Sequence, residues 1–137
     1  MNAQVKIDQF LQHLTPVLHH EKLTLCLLDQ AQLHRLLDHC VCVFREREGI
    51  CALIPAGIAD VEGLSSEGAF RQITLKFAPY QQQVPGLAAT VVRELAEAGI
   101  HASVVSARAH EHILVPDSDA SHALQTLYGI SNRLQYS

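Results

Sequence analysis

Apolar positions near the start of the chain recur at helical spacing, with Ile7, Phe10, Leu11 and Leu14 at i, i+3, i+4 and i+7. This predicts a short amphipathic helix, stopped at Thr15-Pro16 because the residue before a proline avoids the α region. Leu23 to Leu28 (LTLCLL) reads as a buried strand. Ala31 to Leu37 reads as a helix with Leu33, Leu36 and Leu37 on one side, and Val41 to Phe44 as a strand. Glu46 to Gly49 is a charged turn, and Ile50 to Ile54 returns along the previous strand as a hairpin. A glycine-interrupted helical stretch follows from Pro55 to Leu64, and the small, polar Leu64 to Gly68 (LSSEG) predicts a linker.

The second half repeats this order. Ile73, Leu75 and Phe77 alternate with Thr74 and Lys76 in a strand predicted over Phe70 to Phe77, and Pro79 to Gln83 forms a polar loop. Pro85-Gly86 opens a helix whose Leu87, Ala88, Val91, Val92 and Leu95 share a face. Gly99 is placed to stop that helix in a left-handed cap, with Ile100 as the contact beyond it. Ala102 to Ser106 and His112 to Val115 predict a second strand pair. Asp117 or Ser118 is placed to cap a last helix carrying Ala120, Ala123, Leu124 and Leu127.

Both halves thus read strand, helix, strand, strand, helix. Ala52-Leu53-Ile54-Pro55 echoes Ile113-Leu114-Val115-Pro116 at the matching place. A βαβ crossover is expected to pair its strands in parallel, and the hairpin adds an antiparallel strand, giving an α+β fold with helices packed on one face of each sheet. The expected layout is an N-terminal helix and connector over 1–20, a first unit over 21–64 and a second over 69–131. Units of this size bury too little surface to stand alone, so the halves are expected to fold as one body.

Composition narrows the functional classes. The chain has 137 residues, 48% hydrophobic, with 10 Lys+Arg against 14 Asp+Glu. It lacks the basic stripe of a nucleic-acid binder, and with no Trp and 5% aromatics it has little to stack on bases or to cage a cation. Lys6 and Asp8 interrupt the start, so no signal peptide is expected, and no apolar run approaches a membrane span. A cytoplasmic protein with no nucleic-acid or membrane partner follows. Four cysteines, Cys26, Cys40, Cys42 and Cys51, form no CxxC pair and are expected to be buried, reduced thiols.

Val84-Pro85-Gly86-Leu87, then LAEAGI (Leu95 to Ile100), then HILVP (His112 to Pro116), resemble the ACT domain. In that family a strand, a Pro-Gly turn, a helix ending in a similar phrase and a strand pair follow in this order. The chain is further similar to the tandem ACT-like proteins related to the CASTOR-type arginine sensors, whose first-half motif is matched by Arg45 to Leu53 (REREGICAL). The resemblance implies ferredoxin-like units with antiparallel or mixed sheets, regulatory binding of an amino acid or other small effector, and homodimers. The chain departs from the subgroup at Glu46, Gly49 and Cys51, and again at Ala107, Glu111 and His112, where the subgroup carries a hydroxyl, an Asp and an aromatic.

The candidate ligand-binding residues are Gln83, Val84, Pro85, Gly86 and Leu87 at the strand-to-helix turn, with His110, Glu111 and His112 at the start of a strand. A glycine at such a turn lets backbone approach a ligand, and the helix start offers N–H groups to a carboxylate. The bland alternative is a glycine needed only for the turn. His110 and His112 are two apart, so they share a strand face opposite Glu111. They are two ligands where zinc needs three or four, so no metal and no cofactor is expected. Cys40 and Cys42 lack the electropositive surroundings of a nucleophile and no GxSxG elbow exists, so no enzyme is expected. Two other readings stay open: a ligand-free dimerisation or interaction module, and a metal-handling protein.

Overall fold

The computed structural model of the chain describes residues 3–77 and 84–135. It comprises two compact units, a split unit of Met1–His19 with Gln72–Ser137 and an inserted unit of His20–Arg71. In chain order the elements are α1 (Ala3–Gln12), β1 (Leu14–Leu28), α2 (Gln30–Leu36), β2 (Cys42–Glu46), β3 (Gly49–Pro55), α3 (Ala56–Val61), β4 (Ser66–Phe77), α4 (Leu87–Glu97), β5 (Ser103–Ser106), β6 (Glu111–Pro116) and α5 (Ala120–Gln135). Short 3-10 turns at Leu37–His39 and Asp117–Asp119 follow α2 and precede α5.

Two predicted boundaries shift. The first helix ends at Gln12, and Leu14 instead opens β1, a strand that runs without a break to Leu28. Leu14 satisfies both periods: it is buried with Pro16 while Thr15 and Val17 are exposed, which is strand alternation. Thr15, biased toward extended backbone by the proline, fits a strand as well as it fits a helix stop. The expected linker is also partly strand, because β4 already begins at Ser66. The hydroxyl of buried Thr24 donates to the carbonyls of Gly68 (2.8 Å) and Glu67 (3.2 Å), so this backbone is tied down.

In the inserted unit the strands lie in the order β2-β3-β1-β4, and in the split unit β1-β4-β6-β5. β1 pairs antiparallel with β3 from Leu23↔Pro55 to Leu28↔Ile50, and β3 with β2 from Leu53↔Cys42 to Gly49↔Glu46. β5 and β6 pair antiparallel from Ser103↔Leu114 to Ser106↔Glu111. The expected parallel pairing across each helix therefore does not form. The tight Arg47-Glu48 turn lays β3 back along β2, and the free edge of β3 takes β1, so the crossover strands are held apart by the third strand. β6 separates β4 from β5 in the same way. This is the split βαβ arrangement of the ferredoxin-like fold.

Each unit buries its own core. In the split unit Ile7, Phe10, Leu11 and Leu14 meet Ile73, Leu75 and Phe77 of β4, Leu87, Val91 and Leu95 of α4, Ile113 and Val115 of β6, and Ala123, Leu127 and Ile130 of α5. The rings of Phe10 and Phe77 pack tilted at 57° with centroids 6.3 Å apart. In the inserted unit Cys26, Leu28, Ala52 and Ile54 of the sheet meet Leu33 and Leu36 of α2 and Ala59 of α3. The cysteines are all free, but only Cys26 is buried. Cys42 and Cys51 are half-exposed because strand alternation turns them to the sheet face opposite the helices, beside the exposed Leu27 and Phe44.

Candidate functional site

Val84-Pro85-Gly86-Leu87 forms a type II turn. The Leu87 N–H donates to the Val84 carbonyl (3.1 Å), proline holds the second position, and Gly86 takes φ +86, ψ −6 at the third. That left-handed backbone is the reason a glycine stands here. Gly86 is also the N-cap of α4 and supplies no side chain to cap it. With the Leu87 N–H taken by the turn and the Thr90 N–H bonded to the Gly86 carbonyl, the N–H groups of Ala88 and Ala89, which have no intrahelical acceptor, stand at the positive end of the dipole.

The same corner of the inserted unit is built differently. Asp29 caps α2 with its carboxylate on the Gln32 N–H (2.7 Å), and Gln32 Oε1 accepts from the Asp29 N–H (2.9 Å). That capping box occupies the helix start with the chain's own groups. One repeat thus closes its helix N-terminus, and the other leaves it uncapped.

At the uncapped corner lies a cavity of about 390 Å³, lined by Val84, Pro85, Gly86, Ala88, Ala89, Ser106 and Glu111. Its volume falls in the range of small-molecule sites. Glu111 stands on the helix-facing side of β6 with the buried Ile113 and Val115, and its Oε2 accepts a hydrogen bond from Ser106 Oγ (2.5 Å). The cavity therefore has the start of α4 on one wall and a carboxylate on another.

Of the candidate residues, Val84, Pro85, Gly86 and Glu111 line this cavity. The side chain of Leu87 is in the hydrophobic core. Gln83 lies outside the described residues. His112 is on the other sheet face, where its Nδ1 is 3.0 Å from Thr74 Oγ1 and 3.2 Å from Gln72 Nε2. The His110 ring stands edge-on to it at 6.3 Å. Burial, and then the neighbouring His110 and His19, hold the His112 pKa below its ordinary value. Ser106, Ala88 and Ala89 were not singled out by the motif. Ser106 was reachable from the hairpin register, which sets it opposite Glu111.

A second cavity, of about 410 Å³, lies in the inserted unit against His20, Glu21, Lys22, Pro55, Ala56, Gly57 and Ile58. It mixes charges of both signs on exposed side chains. Burial raises the pKa of all four thiols, away from the reactive thiolate. Among the described residues, no three His, Cys, Asp or Glu are grouped to hold a metal ion, and no helix is long and apolar enough to cross a membrane.

Two family models described as ACT domains match the sequence, over residues 3–71 and 65–129. No curated protein matches it. Among solved structures, a Vibrio cholerae protein of unknown function, described as a possible transport protein, is 31% identical over 95% of this chain and 99% of its own, with a TM-score of 0.84. An Agrobacterium tumefaciens protein is 13% identical over 87% and 90%, with a TM-score of 0.65. The regulatory subunit of aspartate kinase from Thermus thermophilus, in its ligand-free form, is 12% identical over 84% and 95%, with a TM-score of 0.61. The last two likenesses are of fold.

Proposed function

The chain belongs to the ACT domain family, and we propose that it is a non-catalytic regulatory protein that binds a small amino acid in the cavity at the start of α4. The observation that carries this reading is the uncapped helix start at Gly86 facing the Glu111 carboxylate. The ligand carboxylate takes the N–H groups, and its ammonium takes Glu111. Support comes from the contrast with α2, whose helix start is taken up by its own capping box. The aspartate kinase regulatory subunit shows that this fold serves regulation elsewhere. The likeness to the CASTOR-type sensors, carried by Arg45 to Leu53, belongs to the same proposal.

A thermal-shift screen of the amino acids tests the reading. A ligand at about 100 times its dissociation constant adds about 2.7 kcal/mol to stability. Glu111→Gln is expected to weaken that ligand by about 1.5–3 kcal/mol, the range for a hydrogen bond to a charged group. If no amino acid raises the melting temperature, the reading falls.

A homodimer is part of the proposal, on a separate observation. The sheet face of the inserted unit opposite its helices exposes Leu27 (61%) and Phe44 (56%) at one end, beside the half-buried Leu25, Cys42 and Cys51, while Leu23 and Leu53 on that face are buried. Contiguous apolar surface of this kind marks interaction sites. Light scattering is expected to give twice the chain mass, and Phe44→Glu to return it to the monomer.

A further inference from the structure

On the sheet face away from the cavity, side chains from three strands meet. His19 Nε2 of β1 is 2.6 Å from Thr74 Oγ1 of β4, and Thr74 Oγ1 is 3.0 Å from His112 Nδ1 of β6. Gln72 Nε2, also from β4, is 3.2 Å from the same Nδ1. Thr74 is buried, while His19, Gln72 and His112 are half-buried.

Counting protons gives this chain a direction. An amide nitrogen only donates, so His112 Nδ1 accepts from Gln72 and carries no proton. The Nδ1 lone pair is single, so the Thr74 hydroxyl and the Gln72 amide share it; with the one Thr74 proton turned to Nδ1, the Thr74 oxygen accepts the Nε2–H of His19. The closed arrangement is His19 N–H to Thr74 O–H to His112 Nδ1, with Gln72 N–H as the second donor. It requires a neutral His112. A proton on Nδ1 would meet two donors. Thr74 would then have to turn its proton toward His19, His19 would have to give up the proton on Nε2, and Gln72 would have to turn its amide over.

We propose that His19, Gln72, Thr74 and His112 form a proton-sensitive latch that holds the start of β6, and with it Glu111, in place at neutral pH and lets it go on acidification. The linkage is short: His112 follows Glu111 in β6, Glu111 pairs with Ser106 in the ladder, and their side chains are bonded in the cavity wall. The surroundings of His112 resist its charge. His19 approaches from β1 and His110 from the hairpin, and Lys76 follows Thr74 on the same face of β4. β5 places Val105 opposite. Among the described residues acting on its charge, only Glu111 favours the protonated ring.

The sign follows. Burial and the two histidines put the folded-state value below 6.5, so the unfolded chain takes up this proton first. The contribution to stability is full above about pH 6.5 and is lost as pH falls through the folded value. The functional consequence, weaker ligand binding in acid, rests on the reading of the cavity given above. The latch itself does not.

The test is therefore made without ligand, by following histidine ring and backbone amide resonances of the full chain while the pH is lowered. His112 is expected to titrate below 6.5, and the Ser106 amide, across the ladder, to shift with the same midpoint. Thr74→Val removes a donor to the neutral ring, so the His112 midpoint moves up toward 6.5. His112→Asn puts an amide oxygen where Nδ1 accepts and keeps both donors, so the Ser106 transition disappears. A Ser106 amide that ignores the His112 midpoint, or a midpoint unmoved by Thr74→Val, overturns the proposal. Absence of an amino-acid ligand would leave all these spectra unchanged, so the two readings fail separately.

Discussion

Gly86 and Gly99 both hold left-handed backbone, at φ +86 and +82, and bound the same helix. At Gly99 the chain stops in a Schellman motif: Ile100 N–H donates to Leu95 O and Gly99 N–H to Ala96 O, each at 2.9 Å. A Cβ at Gly99 meets nothing within 4 Å, so the cost of a side chain there is conformational only. Gly99→Ala is expected to lower stability by about 1 kcal/mol, read by urea denaturation. At Gly86 a Cβ adds contact at 3.4 Å with Ile7 Cδ1, and a β-branched residue cannot adopt that backbone freely. Gly86→Val therefore perturbs fold and site together, although the sequence pattern alone suggests a fold-neutral change, and Glu111→Gln is the cleaner probe. The thiols give a further check. With their pKa values raised above 9.0, chiefly by burial, alkylation in mild alkali should be slower than for free cysteine and should speed up as pH rises further. Both glycine roles were legible because turn and cap are local. The His112 cluster was not, since Thr74 lies 38 residues from His112 and 55 from His19, and only the strand order joins them.

At the scale of elements, α4 was the most readable because its apolar stripe, its Pro-Gly entry and its glycine stop agree. Leu95 is fully buried at the foot of that stripe, and Leu95→Ala is expected to cost about 2–5 kcal/mol in chemical denaturation. Asp29→Ala opens the capping box of α2 and is expected to cost about 1 kcal/mol. β1 was readable only in its second part. Leu14 and Leu18 belong to the split unit's core, and Cys26 and Leu28 to that of the inserted unit. Between them His20, Glu21 and Lys22 are all exposed, so the alternation lapses where the strand leaves one core for the other. The insertion of β3 and β6 between the crossover strands was likewise hidden, because element order alone does not say which strands touch.

For the whole molecule, the repeat of elements and the ferredoxin-like class were legible, while the ownership of the N-terminal helix was not. α1 belongs with α5: Gln12 Nε2 donates to Leu134 O (3.2 Å), and the Gln12 carbonyl accepts from Ser131 Oγ (2.9 Å) and Gln135 Nε2 (2.7 Å). A cut between Ser65 and Ser66 removes Ile7, Phe10, Leu11 and Leu14 from the core they share with Leu127 and Ile130. Fragment 66–137 alone is expected to melt without a cooperative transition, and mixing with fragment 1–65 should restore one, as circular dichroism would show.

The split unit also has a history imposed by synthesis. Residues of the inserted unit leave the ribosome as one continuous stretch, whereas Phe10 waits for Leu127 and Ile130. At about 5–20 residues per second, the 59 residues from Gln72 to Ile130 take roughly 3–12 s to make. During that interval the apolar stripe of α1 is already translated and has no α5 to cover it. The nascent chain thus carries a hydrophobic segment that chaperones can hold, and whose shielding ends only when α5 arrives.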